Sequence, residues 1–211
     1  MSRLPRSCAS PTGPQALPRS QKASGDSLTT SVWANDPALS EKESTMTDTV
    51  TEEMIPARTV VYLRDTIDNY AAERQLWERL FPALQEQGIV SGGPGGTIEH
   101  DDEFRESDVD ESVFVEVANG TTASAPLAVL TTGERRAVVA TVVGPFHEAI
   151  PRAHELIGAY VSERGLTLSR TPDDPSTHHF NVYLDQPCTV PDEQLRTKVY
   201  VPVVLSGFRA Q

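Results

Sequence analysis

The sequence predicts an α+β fold: a duplicated strand–helix–strand–strand unit with pseudo-two-fold symmetry, an antiparallel sheet and one long helix per half. Three observations predict it. Short β-branched or alternating runs read as strands, while two longer segments carry an apolar stripe at helical spacing. These segments recur in the same order at offsets of 77 to 86 residues, a spacing that signals an internal repeat. Clustered apolar residues begin only after residue 55, so one core must serve both copies.

In the first copy, Thr59-Val60-Val61-Tyr62-Leu63 reads as a strand because it is β-branched and aromatic. Tyr70 to Gln87 reads as a helix, with Leu76, Trp77, Leu80, Phe81 and Leu84 on one face and Gly88 as its stop. Pro82 should kink that helix or cut it short. The glycine- and proline-rich segment 91–96 is a connection leading to a short strand at Thr97 to His100. No Gly-Lys-Ser/Thr follows it, so it is no phosphate loop. An acidic loop, residues 101–110, precedes the strand 112–117.

The second copy repeats this order. Arg136 to Val143 is a strand, Gly144-Pro145 a turn, and Phe146 to Arg164 a helix closed by Gly165. Its apolar side is Ile150, Ala153, Leu156, Ile157 and Tyr160; the strands 179–184 and 197–203 follow. Val60-Val61 aligns with Val138-Val139 at an offset of 78, Glu86 to Ile89 with Glu163 to Leu166 at 77, Ile98 with Val182 at 84, and Val113 to Val115 with Val199 to Val201 at 86. Neither copy alone could bury its sheet, so the halves, 56–120 and 134–205, pack into one domain with a cleft between them.

Residues 1–55 form a tail expected to be disordered, with four prolines in the first eighteen positions and too little apolar surface to offset chain entropy. Residues 206–211 form a C-terminal tail, and Met46 offers an alternative start. The tail carries a net charge of −2 and the remainder −10, of the total of −12. Such an acidic domain disfavours direct nucleic-acid binding and docking on an anionic membrane. Early arginines are followed by no apolar signal core, and no run is long enough to span a bilayer, so a cytoplasmic location is expected.

Several motifs, in order, resemble the GyrI-like effector-binding domain, the drug-sensing half of MerR- and AraC-type regulators that also occurs alone. Gly144-Pro145-Phe146 resembles that family's Gly-Pro-Tyr before the second helix. Asn181-Val182-Tyr183-Leu184-Asp185-Gln186-Pro187 resembles its Glu-x-Tyr-Leu-x-x-Pro strand, and Leu195 to Val203 its closing Leu-x-Thr-Glu-Ile-x-Ile-Pro-Val strand. The resemblance covers Pro56 to about Leu205. It implies a stand-alone domain that binds lipophilic, often cationic molecules between its halves. It also implies two alternatives: hydrolysis of reactive lipophilic natural products with a Tyr and Glu pair, or inhibition of a DNA-handling enzyme such as gyrase.

Strand periodicity places a pocket independently of the family. In strand 179–184, Phe180, Val182 and Leu184 share one face, leaving Asn181 and Tyr183 on the other. In the last strand, Val199, Val201 and Val203 leave Lys198 and Tyr200 opposite. The repeat maps Phe114 to Tyr200 and Glu99 to Tyr183. The expected ligand-binding set is therefore Asn181, Tyr183, Lys198, Tyr200, Phe114, Phe146, Glu99 and Trp77, a drug-sized site with apolar walls and few polar groups.

Two residues depart from the family pattern: its cation-binding Glu is Asn181 here, and an acid of the closing strand is Lys198. An amide and an ammonium should select a small lipophilic ligand that is neutral or anionic. No cofactor is expected. His147 and His154 lie seven apart on a helix and His178-His179 precede a strand, but no local spacing completes a ligand set, so no metal is expected either. The resulting reading is a ligand sensor or sequestering protein, more a binder than an enzyme, with any transcriptional role running through a separate regulatory protein partner.

Overall fold

The computed structural model describes residues 48–204. The expectations for the tails, including an alternative start at Met46, lie outside these residues up to position 47 and from 205 onward. Ten main elements follow in chain order: β1 (Thr49–Ile55), β2 (Arg58–Ile67), α1 (Arg74–Glu86), β3 (Gly95–Glu99), β4 (Val109–Glu116), β5 (Ala128–Thr132), β6 (Arg135–Val143), α2 (Phe146–Arg164), β7 (His179–Tyr183) and β8 (Arg196–Pro202). Three short 3-10 turns, including Tyr70–Ala72 just before α1, complete them. The strands form one antiparallel sheet in the order β1-β6-β8-β7-β3-β4-β2-β5.

That order makes the duplication visible. The triplet β6-β8-β7 mirrors β2-β4-β3, and the two meet where β7 pairs with β3. Thr97 and Asn181, equivalent positions of the two copies, stand directly opposite each other in that ladder, so the pseudo-axis passes beside them. Gly96 is required there. A Cβ at this position would lie 1.8 Å from the Asn181 carbonyl oxygen and 2.8 Å from the Phe114 ring.

Two strands were not legible. Thr49–Ile55, read as the end of a disordered tail, is β1, and residues 128–132, left unassigned, are β5. They are counterparts, and each pairs across the repeat: β1, which leads into β2, binds β6, while β5, which leads into β6, binds β2. The domain boundary at 56 is therefore too late by a whole strand. Thr-Val-Thr-Glu-Glu-Met-Ile carries too little apolar character to announce itself; its pairing depends on a partner edge 80 to 92 residues away. Asp48 adds a tie, accepting from the Arg152 guanidinium at 2.6 Å.

The face assignment also corrects the offset of the first strands. Val61 and Leu63 pack beneath α1, and Val138, Ala140 and Val142 beneath α2, which makes the offset 77 rather than 78. The ladders agree, since Val61 pairs with Val115 and Val138 with Val201. A slip of one residue would turn every side chain to the wrong face.

Both helices lie on the same side of the sheet. α1 buries Leu76, Leu80, Ala83 and Leu84, while Phe81, expected on this stripe, is 56% exposed. α2 buries Ala149, Ala153 and Ile157. Pro82 does not shorten α1: the carbonyl it leaves without a helical donor belongs to Glu78, on the exposed side of the helix. Gly165 adopts φ 61° and closes α2 as its sequence predicts.

Neither α1 nor α2 covers the other face, yet Phe114, Phe180 and Tyr200 are buried on it with Ile55, Val60, Ile98 and Val139. The sheet curls to achieve this. Arg58 in β2 places its guanidinium 5.5 Å from the ring of Tyr200 in β8, four strands away in the sheet, a separation of about 19 Å were it flat.

Candidate functional site

Because side chains alternate, the three central strands β7, β3 and β4 deliver a fixed set of residues to the gap between the helices. β3 contributes Thr97 and Glu99, β7 contributes His179, Asn181 and Tyr183, and β4 contributes Glu111 on the same face as Val113 and Val115. Glu99 stands directly opposite both His179 and Glu111 in the ladders. From the helices, Glu73 and Trp77 enter at the start of α1, and Phe146 and His154 along α2.

Two hydrogen-bonded groups result. In the first, Glu73 accepts from the Trp77 indole N–H at 2.6 Å and from the Tyr183 hydroxyl at 2.9 Å. In the second, the Glu99 carboxylate meets His154 Nε2 at 3.1 Å and accepts from the Asn181 amide at 3.1 Å; the same amide donates to Thr97 at 3.0 Å. The Phe146 ring stacks on Tyr183 at 4.6 Å, and Trp77 lies 6.3 Å from the same ring, so three aromatics cover the carboxylates.

Electrostatics separates the three acids. Burial, then the neighbouring charges of Glu73 and Glu99, pushes Glu111 up to about 9, so it is a neutral carboxylic acid at pH 7. Burial also raises Glu73, against the hydrogen bonds from Trp77 and Tyr183. Glu99 is the exception: burial raises it, but His154, His179 and Asn181 together outweigh burial and hold it below its usual value. His154 responds in kind, with burial lowering it and the Glu99 contact raising it further. Burial and the charges of Glu73 and Glu111 push the Tyr183 phenol well above its ordinary value.

The structure does not bring the sequence-predicted set together. Glu99, Asn181, Tyr183, Trp77 and Phe146 lie on the helix side, whereas Phe114, Tyr200 and Lys198 lie on the opposite face. The reason is geometric: in β8 the valines that pack on α2 occupy the helix side, so Tyr200 must point away from it. There its ring stacks on Phe180 at 4.5 Å, beside a cavity of about 20 Å³ that has room for one water. Lys198 contacts Glu53 of β1 at 3.4 Å. It cannot set the charge of the cleft, and Asn181 already spends its amide on Thr97 and Glu99, so the basis for expecting a neutral or anionic ligand is lost.

Sequence reasoning missed Glu73 and Glu111, and weighed His154 and His179 only as metal ligands before setting them aside. Glu111 had a usable signal, since counting back by twos from Val113 and Val115 puts it on their face. Its place at the end of an acidic loop masked it. Glu73 precedes the helical stripe, and nothing local distinguishes it.

The same architecture occurs in solved structures. The EcmrR C-terminal domain superposes with a TM-score of 0.66 at 16% identity, over 75% of this chain and 99% of that one. The EcmrR chain in its cryo-EM complex with DNA gives 0.66 at 17% identity over 77% of this chain; only 59% of that longer chain is matched. A hydrolase from Listeria innocua gives 0.52 at 14% identity, over 74% and 91%. At such identities these likenesses speak for the fold alone. No curated protein matches the sequence. Residues 48–204, the whole described domain, match the model of the GyrI-like small molecule binding domain, and the chain belongs to that family.

Proposed function

We propose that the domain binds a lipophilic aromatic cation in the cleft between α1 and α2, as a ligand sensor or sequestering protein in the cytoplasm. The observation that carries this reading is the group of three carboxylates, Glu73, Glu99 and Glu111, beneath the rings of Trp77, Tyr183 and Phe146. Rings give area and cation–π attraction, and poorly solvated acids give counter-charge. Phe146 is the first residue of α2, after Gly144 at φ 138° and Pro145. Rotation of that ring off Tyr183 opens the cleft. The likeness to the C-terminal domain of EcmrR, whose chain is seen on DNA, supports a regulatory setting reached through a separate partner.

The test is thermal unfolding with tetraphenylphosphonium, triphenylphosphine oxide and tetraphenylborate. At a hundred times its dissociation constant the cation should stabilise by about 2.7 kcal/mol, a shift of roughly 5–10 °C for this size. Tyr183→Ala should abolish it. An equal response to the anion would sink the charge assignment, and no response to any probe would shift attention to the domain's acidic surface as a protein-binding site.

A second reading, a hydrolase, has one specific observation in its favour. Glu111 is protonated at neutral pH near the Tyr183–Glu73 pair, a suitable general acid for opening a reactive ring. Turnover that vanishes in Glu111→Gln while cation binding persists would select it.

A further inference from the structure

Glu99, His154 and His179 come from β3, α2 and β7 and converge on one point. Each presents a donor atom, and the three donors lie within 4.8 Å of one another. Glu99 and His179 are held side by side by the β3–β7 ladder, where they are direct partners. His154 reaches them from above, its Nε2 3.1 Å from Glu99 Oε1, and its ring lies against that of His179 at 5.8 Å. Ligands around a metal at about 2.0–2.1 Å stand roughly 3.0–3.5 Å apart, so the His154–Glu99 spacing already fits. A small rotation of His179 brings in the third donor.

A contact between His154 and Glu99 alone would be an ordinary ion pair. The second observation argues for more. His179 Nε2 is buried and has no hydrogen-bond partner among the described residues. A buried ring nitrogen left without a partner is costly, and native structures rarely keep one without a reason. Asn181, donating to Glu99 at 3.1 Å, fixes the carboxylate as an outer-shell partner does in metal sites.

We propose that Glu99, His154 and His179 form a two-histidine, one-carboxylate site for a divalent transition ion, with Zn2+ as its probe. Three protein ligands leave at least one position for water or a bound molecule, the arrangement of open sites. The site forms one wall of the cleft, and Glu99 acts electrostatically on both Glu73 and Glu111. Metal here would offset the charge of Glu99, one of the three acids facing an organic cation. The proposal does not rest on the cationic-ligand reading, because the ligand set stands whatever the cleft binds.

The experiment is calorimetric titration of the full chain, freed of metal by chelation, with ZnCl2, alongside the visible spectrum of the Co2+ form. The expected result is one ion per chain and d–d absorption of a low-coordinate cobalt centre without a thiolate charge-transfer band, which separates this site from any cysteine. Affinity should fall at least ten-fold in His179→Ala and in Glu99→Gln. It should fall about ten- to a hundred-fold in Asn181→Ala, which touches no metal. His147→Ala, an exposed histidine on the same helix, should bind as the parent does. Absence of binding, a thiolate band, or equal affinity in folded His179→Ala would overturn the proposal. The cobalt spectrum of the unaltered chain decides the matter even if a variant fails to fold. The organic-cation test is run without metal, so either reading can fail alone.

Discussion

Neighbouring residues of β7 serve two opposite environments. Phe180 and Val182 turn to the curled face, where Arg58 and Arg135 lie 5.9 and 5.3 Å from the Phe180 ring centroid and Tyr200 stacks beneath. His179, Asn181 and Tyr183 turn to the helix face, among three acids. One face is rings under cations; the other is carboxylates under rings. They also differ in completeness. Setting aside Glu52 Oε2, which is ion-paired with Arg136, five buried side-chain polar atoms have no hydrogen-bond partner among the described residues, and four of them lie on the helix face: Glu111 Oε2, His179 Nε2, Asn181 Oδ1 and Thr197 Oγ1. Each costs about 1–3 kcal/mol. On the proposed reading, the curled face supports the fold, while the helix face offers the groups that a bound ligand or ion would satisfy.

The largest expected effect concerns β1, which serves both faces by packing Val50 near α2 and Ile55 into the curled face. A chain beginning at Pro56 should lose cooperative unfolding by circular dichroism, while one beginning at Met46 retains it. If both unfold alike, the cross-paired strand is dispensable and the symmetry argument fails.

Next in size, Phe180→Ala should cost about 3–5 kcal/mol in urea unfolding, the usual cost of removing a buried ring. Affinity for tetraphenylphosphonium should be unchanged. A matching loss of affinity would mean that the two faces are coupled through β7, and the division drawn between them would dissolve.

Glu111→Gln tests the other side, and here stability should rise. The carboxyl's folded pKa of about 9 lies above its unfolded value, so between these limits the folded state binds more protons than the unfolded one. Its contribution is full in acid and is lost as pH rises toward 9, at up to about 1.4 kcal/mol per pH unit. The amide cannot ionise. The variant should therefore gain on the parent steadily from pH 5 to pH 8 in thermal unfolding. A constant gap across that range would show that Glu111 is already ionised in the folded state.

These differences were only partly legible in the chain. The repeat, both helices and six strands follow from local pattern, because α2's stripe and the β-branched runs at Val60 and Val138 are dictated by neighbours in sequence. β1 and β5 were hidden because each is stabilised by the opposite half, a non-local pairing that composition does not encode. The site was half legible for the same reason. Period-two alternation correctly set Asn181 and Tyr183 apart from Phe180, but whether Tyr200 joins them depends on which face of β8 the helix covers. That choice was made by Ala149, Ala153 and Ile157, whose small and branched side chains let α2 sit on the valines of β8.

The smallest effect is the most discriminating for the curled face. Arg135 is the repeat counterpart of Arg58, at the offset of 77 that the strand faces require, but the two are not equally served. Arg58 pairs with Glu116 at 3.2 Å, whereas Arg135 Nε is buried without a partner. Burial, then the charge of Arg58, lowers the Arg135 pKa, a sign that its cation is held at a cost. Its stacking over Phe180 returns about 0.5–2 kcal/mol. The two effects nearly cancel, so Arg135→Met, which keeps the apolar stem, should change unfolding free energy by less than about 1 kcal/mol. Arg58→Met should cost more, because it strands Glu116. Equal losses in the two variants would show that the cation–ring contact, rather than the ion pair, holds this face together.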